Sequence, residues 1–186
     1  MKKTIVLVVL ALMFCGVSAV RANEVVEKLA LYIPNRLIDA LDTFTCDVGL
    51  GPSVRIELMA TQVCKFGGGI GISPKLIKDY NRQYGIGINN GWYWSFLCIG
   101  QENMERAKCT RYVKNYQQNF EGCPSPDLRI YDLYTGERDF WQIGGALGLG
   151  VEAEVYIHPV EIADFVAGVF FIDLKGDDIT FEDFQN

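Results

Sequence analysis

The clearest regularity in the chain is an alternation of apolar and polar positions near its C-terminal end. Leu147, Leu149, Val151, Ala153, Val155 and Ile157 fall on one side of an extended chain, and Gly148, Gly150, Glu152, Glu154 and Tyr156 on the other. A period of two is the mark of a strand, and the reading expects the apolar side to be the dry one. Glycines weaken a strand, so their presence here predicts sharp curvature or the close approach of another element. The same alternation occurs earlier: after a turn at Gly51 and Pro52, Val54, Ile56 and Leu58 alternate with Arg55, Glu57 and Met59. This predicts a second strand with one drier face.

Helical spacing frames these strands. Residues 24–33 repeat apolar side chains at helical intervals with Asn23 as a cap, and Pro34 then opens a run in which Leu37, Ile38 and Leu41 share a face. Two short helices or one kinked helix fit equally well. At the other end, Pro159 suits the first turn of a helix with His158 just before it. Ile162, Phe165, Val166, Val169 and Phe170 make its apolar side, and Glu161 complements its dipole.

Between the ends, Gly67–Gly69 predicts a bend and Pro74 a short turn or helix. Asn89-Asn90-Gly91 predicts a hairpin turn, with Trp92 and Trp94 packing on one face of the strand that follows. Residues 101–120 read as a polar surface helix or an irregular excursion, and a second short hairpin is expected near Thr135 and Gly136. The whole predicts an α+β fold: a curved, mainly antiparallel β-sheet packed by an N-terminal helical segment and a C-terminal helix.

The first residues change the context. Lys2 and Lys3 precede an apolar run from Ile5 to Phe14 and a V-R-A triplet ending at Ala22, the pattern of a secretory signal peptide. The expectation is a signal over residues 1–22 and a single exported domain over residues 23–186. Lipoprotein anchoring through Cys15 is the weaker alternative, because Phe14 is bulky where small residues are usual. Removing residues 1–22 takes Lys2, Lys3 and Arg21, leaving 14 basic against 23 acidic residues and a formal charge of −9. That balance argues against nucleic acid and against anionic headgroups as partners.

Export makes disulfides permissible among Cys46, Cys64, Cys98, Cys109 and Cys123. Five cysteines allow two bridges and leave an odd thiol, which could pair with another chain. There is no C-x-x-C for redox or zinc chemistry, and no cofactor is expected. His158, the single histidine, is the candidate for acid–base work, yet no local motif marks a nucleophile for it, and a helix-start role is the simpler reading. Gly67–Gly71 lacks the lysine and hydroxyl of a phosphate loop, and Asp177, Asp178, Glu182 and Asp183 lack a calcium-loop pattern, so an acidic solvated tail accounts for them equally well.

At residues 48–61, VGLGPSVRIELMAT, and 158–178, HPVEIADFVAGVFFIDLKGDD, the chain resembles small exported proteins of unassigned function from Gram-negative bacteria. The shared pattern falls on Glu161, Asp164, Phe165, Gly168, Ile172, Asp173, Asp177 and Asp178. The resemblance implies an envelope protein and brings no catalytic residues with it. The expected function is therefore a noncatalytic cell-envelope role, structural or interacting, in the periplasm or on the periplasmic face of the outer membrane. Its partner would be an envelope protein or lipid. A small outer-membrane or lipid-binding β-barrel-like protein is the alternative, and an enzyme of unknown substrate the third reading.

Overall fold

The computed structural model describes residues 24–184; the expected signal peptide and Cys15 lie outside them. The described residues divide into two compact units, Pro34–Asp178 and a smaller one of residues 24–33 with 179–184. In the smaller unit the Phe181 amide donates to Glu27 Oε1 at 2.6 Å, and Thr180 and Asp183 cap each other's turn.

Helix α1, Glu24–Asp42, is continuous through Pro34. Six strands follow: β1 Phe44–Thr61, β2 Cys64–Asp79, β3 Gln83–Leu97, β4 Ile99–Lys108, β5 Tyr116–Gly122 and β6 Ile143–Ile157. Helix α2, Pro159–Val169, completes the larger unit's regular elements. All pairings are antiparallel, in the order β5-β4-β3-β2-β1-β6.

The α+β class and the helices at both ends agree with the sequence. The expected curved sheet is corrected: this is an open sheet whose outer strands, β5 and β6, are not paired with each other. Several predicted turns are also absent. Gly67–Gly69 lies inside β2 and Asn89-Asn90-Gly91 inside β3, each held by neighbouring strands on both sides, and Pro74 lies inside β2 paired with Ile88 of β3. Of residues 101–120, expected to be helical or irregular, 101–108 lie in β4 and 116–120 in β5, with irregular chain between them. In place of the hairpin near Gly136 stand a short 3-10 turn, Arg129–Tyr131, and irregular chain.

The largest departure concerns which side of the strands is dry. On β1, Thr45, Asp47, Ser53, Arg55, Glu57 and Met59 are buried, while Val48, Leu50, Val54, Ile56 and Leu58 are exposed. On β6, Glu152, Glu154 and Tyr156 are buried, and Leu149 is 81% exposed. The alternation is as the sequence predicts; the dry side is the charged one. Both helices share the inversion. Asn35, Asp39 and Asp42 of α1 and Glu161, Asp164 and Gly168 of α2 are buried, whereas Leu37, Leu41, Ile162 and Val166 are exposed.

Candidate functional site

The buried side of the sheet is an ion-pair network built across strands. Gly49 on β1 lies between Glu152 on β6 and Lys75 on β2. A Cβ at that position would stand 2.8 Å from Glu152 Cγ and 2.9 Å from Lys75 Cγ, so its absence lets the two charges meet over the intervening strand. Lys75 reaches both Glu152 and Glu154, and Arg55 also closes on Glu154. Burial alone would raise the Glu154 carboxyl, but Arg55, Lys75 and Arg106 outweigh it and hold the group well below the usual carboxylate range. Glu57 is lowered as well: its desolvation is overcome chiefly by Lys65 at 3.3 Å. Tyr156 donates to Glu57 at 2.8 Å, and Tyr93 carries Lys65 and Arg55 over its ring at 4.4 and 5.3 Å. Arg106 on β4 binds Asp79 at 2.9 Å and Asp47 at 3.5 Å, and Arg138 binds Glu102 at 2.5 Å.

The glycines of β6 have a related use. A Cβ on Gly148 would collide with Glu152, and one on Gly144 with the backbone of Val155 and Tyr156. The first half of the strand thus comes against the second, on either side of Gly150 with its φ of 76°. The sequence expects sharp bending or the close approach of another element at these glycines; the strand bends at Gly150 and brings its own two halves together. Among the charged groups is a cavity of about 40 Å³, lined by Arg55, Glu57, Lys65, Tyr93, Glu102 and Arg138 among others. It has room for a water molecule or two and none for a substrate.

His158 sits at this network's edge. It occupies the cap position of α2, its backbone N–H donates to Thr43 O at 2.8 Å, and Pro159 follows in the first turn. The ring is 0% exposed and stacks on Tyr80 with centroids 5.0 Å apart. Nδ1 meets Asp139 Oδ2 and Nε2 meets Thr45 Oγ1, each at 2.7 Å, while the Thr45 hydroxyl donates to Asp79 at 2.5 Å. Thr45 thus links the ring to Asp79, and Asp139 holds its other nitrogen. The arrangement resembles a proton relay in its distances, yet every member is buried and the ring's two nitrogens are both engaged. It fastens β1, β2, the 129–142 segment and α2 together.

At the helical end, Arg36 of α1 binds Asp39 at 2.8 Å and Asp178 at 2.7 Å, and its guanidinium occupies the space a side chain at Gly168 would need. Asp164 accepts the Leu174 and Lys175 amides at 2.8 and 3.1 Å, and Lys175 binds Glu161 at 2.8 Å and Asp177 at 3.2 Å. These contacts tie Glu161, Asp164, Gly168, Asp177 and Asp178 into one arrangement. The acidic residues singled out from sequence are not one group: Asp177 lies with Asp39 and Asp164, their carboxylate oxygens within 4.8 Å of one another, whereas Glu182 and Asp183 belong to the smaller unit. Burial, opposed by Arg36 and reinforced by the other carboxylates, pushes Asp39 up to about 7. Cationic side chains or backbone amides already occupy all three members, so the cluster reads as a clasp between helices.

The expected disulfides are corrected. Cys46, Cys64, Cys98, Cys109 and Cys123 are free thiols, four exposed and Cys64 half-buried. Cys98 lies beside Cys123 and, with desolvation, raises its thiol, yet the two sulfurs are unbonded.

The exposed side of the sheet is divided into two sectors. One row across the strands runs Leu149, Val54, Ile70, Trp92, Asn103, Asn119, and the next runs Leu147, Ile56, Gly68, Trp94, Gln101, Glu121. Apolar side chains thus cover β6, β1, β2 and β3, and the face turns polar at β4. Gly68 leaves a gap in the apolar sector, an open dish of about 490 Å³ bordered by Val54, Ile56, Ile70 and Trp92. Among the described residues no helix is long and apolar enough to cross a membrane. No family model, curated protein or solved structure matches the chain.

Proposed function

We propose that the protein is a noncatalytic component of the cell envelope that holds to a lipid surface through the apolar sector of β6, β1, β2 and β3. The observation that carries this reading is the inversion of the sheet. Large apolar side chains are exposed over four adjacent strands while charged side chains of both signs are buried and paired beneath them. Contiguous apolar surface of this extent is not tolerated in water without a partner. A polar interior under an apolar exterior is the arrangement of β-sheets that meet lipid. The dish over Gly68 has the volume of a small-molecule site with apolar walls, the chemistry an acyl chain requires. The polar sector of β4 and β5 stays in water, so contact is made from one side.

The test is flotation of the purified full chain with phosphatidylcholine vesicles, read together with quenching of Trp92 and Trp94 fluorescence by lipids brominated along the acyl chain. The expected result is co-flotation with strong quenching. Replacing Ile70 and Leu149 by glutamate should release the protein from the vesicles while leaving its circular dichroism unchanged. A wild-type chain that stays at the bottom of the gradient, or floats with its tryptophans unquenched, overturns the proposal.

A further inference from the structure

Helix α2 ends in an unusual way. Phe171 N–H donates to Gly168 O at 2.9 Å and Ile172 N–H to Ala167 O at 3.1 Å, the paired bonds of a Schellman motif. That motif places its next residue in the left-handed region, where glycine is usual; here the residue is Phe171, with a φ of 61°. A bulky L residue occupies that region against steric resistance. The outcome of the strain is specific: Phe170 is 71% exposed, and Phe171 and Ile172 are exposed beside it. A glycine would close the helix with less strain and would remove one of three consecutive large apolar side chains from the surface. Strain held at a site of unusual exposure points to a use for the exposure.

We infer that Phe170, Phe171 and Ile172 form a wedge that inserts between the lipids of an electrically neutral, zwitterionic surface. The inference rests on the lipid reading above and adds a second point of contact to the sheet. Three observations select lipid as the occupant. The wedge continues an exposed apolar stripe on α2, Ile162 and Val166, held outward because the opposite face of the helix is fixed by Lys175 on Glu161, by Asp164 on the 174–175 amides and by Arg36 against Gly168. The exposed apolar surfaces differ in form, a sheet face, a helix stripe and a turn tip, and a fluid phase fits all of them, whereas a protein partner would need a separate complement to each. Charge then selects the kind of surface. Exposed Asp173 directly follows the wedge, Lys175 is buried and already paired, and the chain after residue 22 carries a formal charge of −9, so anionic headgroups are repelled at this spot.

The experiment compares the wild-type full chain, the F170S/I172S pair and F171G in binding to phosphatidylcholine vesicles, with melting temperature measured on each. Burial of one large apolar side chain is worth at least about a tenfold change in partitioning. The F170S/I172S chain should therefore bind at least about tenfold more weakly at an unchanged melting temperature. F171G should bind more weakly and melt no lower than wild type, a combination that loss of a merely structural contact does not produce. Replacing a third of the lipid by phosphatidylglycerol should weaken wild-type binding. Wild-type vesicle binding retained in full by both variants overturns the wedge and leaves the sheet reading in place, absence of wild-type binding overturns both, and binding that rises with phosphatidylglycerol refutes the neutral surface.

Discussion

Glu154 is the residue on which the buried network depends most, and Glu154→Gln tests whether that network is dry. Arg55 and Lys75 both end on its carboxylate, and both are buried. Glutamine is nearly isosteric and keeps hydrogen-bonding capacity, so the substitution removes charge without opening a cavity. Breaking one partner of a buried pair costs about 3–5 kcal/mol, because the remaining charge is left uncompensated in a medium that solvates it poorly. Glu152 still faces Lys75, which places the expected loss near 3 kcal/mol, a large share of the 5–15 kcal/mol that typically separates folded from unfolded domains. Urea unfolding followed by circular dichroism should show the midpoint falling with the slope unchanged. The companion Lys75→Met should cost a similar amount alone, and the double variant should cost less than the sum, since its two lesions share one interaction. A Glu154→Gln loss below about 1 kcal/mol would refute the reasoning, for it would mean that water reaches these charges and screens them.

Three further outcomes follow from the same geometry. Asp39 is raised in the folded protein, so its contribution to stability is fully present below its unfolded pKa and is lost as the pH climbs through about 7; Asp39→Asn should therefore gain on wild type in melting temperature between pH 4 and pH 7. Gly49→Ala puts a methyl group against Glu152 and Lys75 and should cost about 1–3 kcal/mol by overpacking, measured by the same urea titration. His158→Asn leaves Asp139 or Thr45 without its ring partner and should destabilise by about 1–3 kcal/mol, with faster amide exchange at Phe140 and Thr45, the chain segments the ring joins.

Periodicity was a sound guide to which residues share a side and a poor one to which side is dry. The run from Leu147 to Ile157 reads as a strand because a period of two survives its glycines, and it is one. The assumption that Leu149 faces a core presumes water outside, which the pattern itself does not contain. A signal was present on the other side. Arg55, Glu57, Lys65, Lys75, Glu152 and Glu154 mix the two signs of charge at strand spacing, as a paired interior requires and a solvated face does not. Strand lengths were hidden by a different effect. Gly67–Gly69 and Asn89-Asn90-Gly91 prefer turns in isolation, and the ladders on both sides override that preference. β4 and β5 lack apolar alternation because their outer positions, Asn103 and Asn119 among them, are polar, which made them look like a surface helix. His158 could be placed at the start of a helix from Pro159 alone, while its partners Thr45, Asp79 and Asp139 come from three distant segments that no spacing rule connects.

The change of texture at β4 has a consequence for how such a molecule would be arranged among its own kind. An object wetted on two strands and oil-loving on the next four has a preferred roll angle at an interface, and turning it about the strand direction drags Gln101 and Glu121 into oil or Leu149 into water. Copies lying on one lipid leaflet would therefore all present the same amide-rich strip to the aqueous side. A population so aligned offers a repeated array of Asn and Gln side chains, equally able to donate and accept, at a fixed height above the lipid.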